Sequence, residues 1–193
     1  KGDVSGLGFE PFPAVADITE IGGTAEFQIN IQNIGGVGLE DLVIYDILPH
    51  IGDTGLSEMQ VANARESAFD VTFTGVDMST LPTGAVVEYS TSTNPCRNEL
   101  TTGVSPFPTG CVNDWSTTIP SPISNVKALR ITFPSGDVQE FVPGESLSIE
   151  YGVTYPVGVQ VSEVAWSNFA YAGNRMDDNS SILPTEAPTV GIA

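Results

Sequence analysis

Hydrophobic and polar residues alternate one for one over much of this chain, and the alternation first becomes regular in residues 24–33. Phe27, Ile29 and Ile31 would lie on one side of an extended backbone, with polar residues between them. A period of two residues is typical of a strand that has one buried face and one solvated face. Residues 24–33 therefore predict a half-buried β-strand.

The next apolar segment, residues 39–48, is hydrophobic on both faces of an extended backbone and ends at Pro49, which cannot donate to a β-ladder. Such a strand lies centrally in a sheet or is covered by a long loop. Residues 33–38 are rich in glycine and can adopt positive φ angles. A short glycine-rich segment between two β-runs predicts a hairpin of residues 24–33 and 39–48.

Turn signals recur about every ten residues along the chain, which is typical of an antiparallel β-sandwich. Further strands are predicted at 15–21, 68–76, 85–91, 126–133, 138–142, 145–155, 161–172 and 189–193, with a helical turn only at 56–66 and an irregular segment at 1–13. The strand at 145–155 has the most regular alternation. With neither a linker nor a repeat visible, residues 1–193 are interpreted as a single β-sandwich domain with long loops at 50–67 and 94–125.

Two consecutive motifs carry a family resemblance. Phe-Gln-Ile-Asn-Ile-Gln-Asn-Ile-Gly-Gly at 27–36 and Leu-Glu-Asp-Leu-Val-Ile-Tyr-Asp-Ile-Leu-Pro at 39–49 resemble the bacterial surface-protein repeat known as domain of unknown function eleven. Downstream segments at 88–96, 111–115, 126–130, 142–145, 166–171 and 188–192 also resemble domains of wall-anchored or secreted proteins, mainly of Gram-positive bacteria. The resemblance implies an Ig-like fold and an adhesive or structural role at the cell surface or cell wall. It brings no catalytic residues.

The charge balance excludes several classes of partner. Six Lys and Arg residues stand against 24 Asp and Glu residues, a formal net charge of -18. Nucleic acids require a basic face, and anionic membrane surfaces would repel this chain. Membrane insertion is not expected either, because no apolar run is long enough to span a bilayer. The acidity indicates either a solubilising surface field or an affinity for cations and basic partners.

The only two cysteines, Cys96 and Cys111, lie in a polar loop rich in Asn, Thr, Gly and Pro. A zinc site would need histidines, and His50 is the only one in the chain. A disulfide between Cys96 and Cys111 is therefore predicted, and it fits an oxidising, extracellular setting. The alternative is a pair of reduced thiols.

Calcium is the metal that this composition favours, because it binds six to eight oxygen ligands. The densest group of oxygen-bearing side chains is the loop that contains Asn174, Asp177, Asp178 and Asn179. The alternative is ordinary turn chemistry, in which Asn and Asp bond to their own backbone. Two further oxygen-bearing pairs are Asp46 with Asp53 and Asn113 with Asp114.

Other candidate chemistry is sparse. A nucleophile would depend on His50 as its base, and a solvated loop histidine is the plainer interpretation. The chain lacks a Gly-x-Ser-x-Gly elbow and a phosphate-binding loop, so it is predicted not to be an enzyme. Lys127 shares a strand face with apolar residues and could form a crosslink to Asn or Asp, or it could extend its stem to water. Trp115 and Trp166 are interpreted as core anchors rather than sugar-stacking platforms.

The sequence thus favours a non-catalytic structural or adhesive module of a longer, extracellular bacterial surface protein. Its loops would be free to bind, and the start at Lys1 resembles a processed beginning. Its partners would be neighbouring domains of the same chain and a host or cell-surface protein or glycan. The alternative is a carbohydrate-binding accessory domain of a secreted enzyme, and an independent catalytic domain is disfavoured.

Overall fold

A computed structural model describes residues 2–3, 15–16, 22–103, 105–133, 141–160 and 162–193. The strands in these ranges are β1 (Gly2–Asp3), β2 (Val15–Ala16), β3 (Thr24–Gln32), β4 (Leu39–Ile47), β5 (Thr72–Val76), β6 (Val86–Ser90), β7 (Ala128–Thr132), β8 (Ser146–Thr154), β9 (Ala165–Ser167), β10 (Phe169–Arg175), β11 (Thr185–Glu186) and β12 (Val190–Ile192). Short 3-10 helices occupy Met78–Thr80, Asn98–Leu100 and Ile123–Asn125. None of the helices in the described ranges has the length and apolarity that a membrane crossing requires.

Two main sheets form the predicted β-sandwich. One has the strand order β1-β3-β8-β5 and the other the order β11-β10-β4-β7-β6, and neighbouring strands in both are antiparallel. A small third sheet has the order β2-β12-β9, in which β12 runs parallel to β2 and antiparallel to β9. The all-β fold class is therefore confirmed, with one parallel pairing beside the antiparallel sheets.

Strands β3 and β8 form the most regular pair in the molecule. All nine residues of β3 are in register with β8, and Ile29 lies opposite Ile149 and Phe27 opposite Tyr151. These four side chains are almost completely buried, whereas the polar residues between them are half-buried or exposed. The alternation at 24–33 and 145–155 therefore identifies the buried faces correctly.

Strand β4 is the centre of the molecule because both of its faces are covered. Leu42, Ile44 and Leu48 belong to the hydrophobic cluster between the two sheets, here called the inner cluster. Alternate residues of β4 face the other way, into a second cluster under the long loops, here called the outer cluster. The outer cluster consists of Val43, Tyr45, Ile47, Leu56, Leu100, Phe107, Ala128, Ala170 and Ala172. The sequence predicted that this strand would lie centrally in a sheet or be covered by a long loop, and the structure shows that β4 does both.

The predicted hairpin of residues 24–33 and 39–48 is wrong. Strand β3 belongs to the four-stranded sheet and β4 to the five-stranded sheet, so residues 33–38 cross between the sheets. Asn33 fixes this crossing: its side-chain amide donates to the carbonyls of Val37 and Phe141, at 2.9 and 2.6 Å. Since both faces of β4 are apolar, β4 is more stable in the middle of the second sheet than beside β3.

Two further predictions need correction. The helical turn predicted at 56–66 is limited to residues 57–61, where Val61 N–H donates to the carbonyl of Ser57. The rest of the segment folds back, and Gly55 N–H donates to the carbonyl of Asn63. Residues 161–172 are not one long strand. They divide at Asn168, where the chain passes from β9 in the small sheet to β10 in the five-stranded sheet. Tertiary contacts override local propensity at both places.

Several expectations fall partly on residues outside the described ranges. These are the irregular segment at 1–13, residues 17–21 of the first predicted strand, residues 138–140 of the strand at 138–142, and residue 161 of the strand at 161–172. Phe141, which is described, pairs with Leu39 in an isolated β-bridge.

Candidate functional site

Asp46 is the one carboxylate on the inward face of β4. Only 2% of its surface is exposed, and its Oδ2 accepts a hydrogen bond from the Tyr151 hydroxyl at 2.8 Å. The Ser167 hydroxyl lies 3.0 Å from the same Tyr151 oxygen. Within the described residues, Asp46 Oδ1 has no hydrogen-bond partner. Burial raises the pKa of Asp46 to about 6, although Tyr151 and the charge of Arg65 act to lower it.

The loop at 50–67 contains a buried ion pair, and the arginine of that pair attaches the loop to the sandwich. Arg65 Nη2 lies 3.1 Å from Asp53 Oδ2 and donates to the carbonyl of Ile47 at 3.0 Å. Its Nη1 donates to Asn168 Oδ1 at 3.0 Å. Asp53 also accepts the Ser67 hydroxyl at 2.6 Å. These contacts give most of the buried polar atoms of Arg65 and Asp53 a partner, which offsets the cost of burying two charges. Among the described residues, Arg65 Nε has no hydrogen-bond partner.

Glu186 of β11 holds the same loop through its backbone. Its two oxygens accept the backbone N–H groups of Leu56 and Ser57 at 3.0 and 2.8 Å, and the Ser57 hydroxyl at 2.7 Å. The side-chain amide of Asn168 also donates to Glu186. Asn168 thus joins Arg65 to Glu186 at the point where β9 ends and β10 begins.

Two cavities lie on either side of Asn168, Ala187 and Pro188, which line both. The first, here called the Asp46 cavity, has a volume of about 240 Å³. Its lining includes Phe27, Ile29, Asp46, Ser167, Phe169 and Val190. The second, here called the Arg65 cavity, has a volume of about 360 Å³ and a more polar lining that includes Gln60, Asn63, Arg65 and Glu186. A cavity with apolar walls and a few convergent polar groups is the usual form of a ligand site.

The loop at 94–125 covers the outer face of the five-stranded sheet. Cys96 and Cys111 are joined in a disulfide, as predicted, with their Cα atoms 4.9 Å apart. Arg97 is 1% exposed; its Nε and Nη1 donate to the carbonyls of Leu56 and Pro95, and its guanidinium lies over the ring of Phe107. Burial lowers the pKa of Arg97 to about 10, so the residue stays charged at neutral pH.

A second group of charged residues fixes the same loop nearer its end. Arg130 of β7 makes a bidentate pair with Glu88 of β6, with both contacts at 2.7 Å, and lies over the ring of Trp115. The Tyr45 hydroxyl donates to Glu99, and burial together with Glu99 raises the pKa of that phenol well above its usual range. These contacts attach the loop to the sheet.

The calcium candidates lie in a tight turn after β10. Asp177 and Asp178 both contact Arg175, at 2.8 and 3.7 Å, and Asp178 accepts from the backbone and hydroxyl of Ser180. Asn179 has a positive φ of 53°, a conformation in which Asn is common in turns. In the described part of the chain, no three His, Cys, Asp or Glu side chains are grouped closely enough to share a metal ion. This geometry favours the turn interpretation, and calcium binding remains a hypothesis.

The other sequence candidates are brought together only in part. Asp46 and Asp53 lie near the same guanidinium, that of Arg65, but accept different hydrogen bonds. His50 Nδ1 lies 2.9 Å from the carbonyl of Leu48. Lys127 is half-buried just before β7, and a crosslink from it stays a hypothesis. In the other pair, Asp114 bonds to Ser90 and Thr91 at the end of β6.

The two tryptophans are half-buried rather than fully buried core anchors. Trp115 packs against the outer cluster, and its indole N–H donates to the carbonyl of Cys96 at 2.7 Å. Trp166 lies on β9 beside β12. The prediction that they serve packing holds for Trp115, whose ring is also covered by Arg130.

Sequence reasoning missed Arg65, Asn168 and Glu186, which organise the site. One signal was available: a chain with 24 acids and only six Lys and Arg residues must use its few cations where a buried acid needs one. Nothing in the local sequence around Asn168 or Glu186 indicates their partners, which lie 18 to 130 positions away.

No protein-family model matches the chain, and no curated protein matches it. The resemblance to the repeat family therefore rests on the motifs alone. The chain is similar to domains D2 and D3 of the major pilin SpaD from Corynebacterium diphtheriae, with 14% identity over 88% of this chain and 45% of that one, and a TM-score of 0.39. It thus spans less than half of the SpaD chain.

Two other solved structures are similar over most of both chains. ACE19, the collagen-binding subdomain of the Enterococcus faecalis surface protein ACE, is 10% identical, with 92% of each chain covered and a TM-score of 0.41. AvmM, which catalyses macrocyclization in alchivemycin A biosynthesis, is 12% identical over 95% of this chain and 85% of that one, with a TM-score of 0.33. Likenesses at this level carry no argument about function.

Proposed function

We propose that this chain is a non-catalytic structural and adhesive module of an extracellular bacterial surface protein. The observation that carries the proposal is the attachment of the 50–67 loop to the sandwich through Arg65 and Glu186, beside a pair of cavities. Loops held rigidly on a β-scaffold lose little entropy when they bind, so they suit recognition.

The use of the charged residues supports a binding role over a catalytic one. Three of the buried or half-buried charged side chains bond to the backbone: Arg65 to the carbonyl of Ile47, Arg97 to the carbonyl of Leu56, and Glu186 to the N–H of Leu56. Such bonds hold loops in place, which is a structural use. The imidazole of His50 is engaged by a backbone carbonyl. A nucleophile with an oriented base would require a different arrangement.

We also propose that residues 1–193 act as one domain, a module of a longer surface protein. The support is strand β4, whose alternate side chains enter the inner and outer clusters. Because one strand serves both clusters, neither can unfold without exposing half of β4. A single cooperative unfolding transition by two independent probes would support this, and two separated transitions would contradict it.

Surface binding to protein and glycan panels tests the adhesive function. We expect binding to a protein ligand that weakens when exposed apolar residues of the 50–67 loop, Met59 (84% exposed) and Ile51 (69% exposed), are replaced by serine. Ile34→Ser is the matched control, since Ile34 is 90% exposed in the crossing at 33–38. Equal weakening by the control, or no binding to any protein, would contradict the proposal.

A carbohydrate-binding accessory domain is the second candidate, and the polar Arg65 cavity favours it. Gln60 and Asn63 could bond to sugar hydroxyl groups there. The half-buried tryptophans weigh against it, because exposed aromatic platforms usually carry sugar binding. Binding to the glycan panel alone, abolished by Asn63→Ala, would establish this candidate instead.

A further inference from the structure

We propose that the edge of strand β3 beside the Asp46 cavity binds an extended, basic peptide segment of a partner protein, which adds to the four-stranded sheet as a further strand. Among the described residues, β1 pairs with this edge at two positions, Gly2 with Phe27 and Asp3 with Glu26. Residues 29–32 of β3 continue beyond that pairing and are here called the open edge.

The backbone groups of Asn30 and Gln32 point outward from the open edge. Asn33 N–H donates to the carbonyl of Glu145, just before β8. Because successive residues of a strand direct these groups to opposite sides, the odd-numbered residues of β3 bond to β8 and the even-numbered ones point away from it. In the described part of the chain, the backbone N–H and C=O groups of Asn30 and Gln32 have no partner.

The open edge lacks the features that usually protect a strand at the edge of a sheet. Such strands commonly carry a lysine, a proline or a β-bulge, which discourage pairing with another chain. Residues 27–32 contain neither a charged residue nor a proline, although the chain has 24 Asp and Glu residues. Strand β3 also pairs with β8 over nine residues without a shift in register. A regular, uncharged strand of this kind pairs readily with a further strand.

The Asp46 cavity lies along the same edge. Its lining includes Phe27 and Ile29 from the inner face of β3 and Gln28 and Asn30 from the outer face. Side chains from both faces of a strand can line one cavity only where the cavity reaches the edge of that strand. The opposite wall includes residues 187, 188 and 190. The cavity therefore offers space to a strand that pairs with the open edge.

The shape and charge of this region define the peptide. A residue opposite Ile29 would share its inward face and enter the cavity. The volume of about 240 Å³ exceeds the roughly 150 Å³ that admits benzene in a protein interior, so a valine or leucine side chain fits. A residue opposite Asn30 would face outward, where a polar side chain suits. The formal net charge of -18 favours lysines at the two ends of the peptide.

Amide hydrogen exchange of the whole chain, followed by NMR, tests the open edge directly. In the free chain, we expect the amides of Asn30 and Gln32 to exchange at least roughly tenfold faster than those of Ile29 and Ile31, which face β8. Slow exchange at Asn30 and Gln32 in the free chain would overturn the proposal. Only the source of the peptide, a partner protein, rests on the proposed adhesive function, and a protein panel without binding would contradict that function alone.

The probe is the peptide acetyl-Lys-Thr-Val-Thr-Val-Thr-Lys-amide. We expect it to bind with a Kd on the order of 1 mM and to slow exchange at Asn30 and Gln32 by at least roughly tenfold. A peptide with proline in place of the central threonine loses a ladder donor, and one with glutamates in place of the lysines is repelled, so both should bind more weakly. Equal binding of either peptide would overturn the proposal. Protection that grows with protein concentration alone would assign the open edge to a second copy of the chain instead.

Two variants separate the backbone edge from the cavity. Asn30→Pro removes an N–H that points away from β8, and Val190→Phe fills the cavity and leaves the open edge intact. Each should weaken binding of the probe peptide by at least roughly tenfold. Asn30→Thr is the matched control, because it keeps the backbone N–H and should bind like the parent chain. Circular dichroism checks that each variant is folded. Retained binding in either Asn30→Pro or Val190→Phe would overturn the proposal.

Discussion

The inner and outer clusters share strand β4 but are built from different parts of the chain. The inner cluster is assembled from alternate residues of strands, and Asp46 is the charged group set on that face of β4. The outer cluster takes Leu56, Leu100 and Phe107 from loops and is held together by Arg65, Arg97 and a disulfide. Regular strands can form a core from hydrophobic burial alone, whereas loops without a repeating pattern need specific polar attachments.

The largest expected effect comes from the buried ion pair of the outer cluster. Arg65→Met leaves Asp53 charged with its side chain fully buried, and the free energy of unfolding should fall by about 3–5 kcal/mol. Urea denaturation measures the change. Arg175→Met, which removes an exposed partner of Asp177, is the control and should have little effect. Similar losses in the two variants would mean that the outer cluster does not depend on its buried charges.

The matching test of the inner cluster is Ile149→Ala. Ile149 is fully buried in the middle of β8, so unfolding free energy should fall by about 2–5 kcal/mol. Ser148→Ala, on the opposite face of the same strand, should cost far less. Equal losses at 148 and 149 would show that the faces of β8 are wrongly assigned.

The disulfide tests whether covalent attachment stabilises the outer cluster. Cys96 and Cys111 are 15 positions apart, and a loop of that length corresponds to about 3 kcal/mol in the chain-entropy model. The double variant Cys96→Ser with Cys111→Ser should lose about this much and should expose Trp115 to fluorescence quenchers. Thiol labelling of the unfolded, unreduced protein should find no free cysteine. Labelling of both cysteines would contradict the disulfide.

Asp46 is the charged group set within the inner cluster, and its effect depends on pH. Its pKa of about 6 in the folded chain lies above the ordinary value of 3.8. Proton uptake therefore favours the folded state at low pH, and this contribution is lost as the pH rises through about 6. Asp46→Asn should be more stable than the parent at about pH 8, by up to roughly 3 kcal/mol, with the difference shrinking toward pH 4. A difference that stays constant with pH would contradict the shifted pKa.

The smallest effect is expected at the turn after β10, which belongs to neither cluster. Asp177 and Asp178 already contact Arg175, so calcium should stabilise the chain no more than magnesium or sodium chloride of equal ionic strength. Melting curves in the three salts measure this. An excess for calcium at low concentration that Asp177→Ala with Asp178→Ala removes would establish a metal site there.

The inner cluster could be predicted from the sequence, and the outer cluster largely could not. Alternation correctly places Phe27, Ile29, Ile149 and Tyr151 on buried faces. In a half-buried strand, every second side chain faces the core, so the pattern can be read from each strand alone. The same pattern gives no information on which strand pairs with which, so the hairpin was predicted between strands of different sheets.

The candidate site was out of reach for a related reason. Arg65, Asn168 and Glu186 meet only after the chain has folded, and no spacing links them. Asp46 and Asp53 were noticed as a pair of oxygen ligands, and the structure places an arginine beside both. Composition could suggest that a scarce arginine is structural, but only the fold identifies its partner.

The parallel pairing of β2 with β12 has a mechanical consequence. Val15 lies opposite Gly191 and Ala16 opposite Ile192, so an early segment and a late segment of the chain run side by side in the same direction. Tension that pulled these segments apart along the chain would load their hydrogen bonds in shear, all at once, whereas an antiparallel pair would open one bond at a time. We expect single-molecule pulling through residues 15 and 192 to require more force than pulling the edge strand β6 away from its antiparallel neighbour β7. Equal forces would show that the small sheet carries no such load.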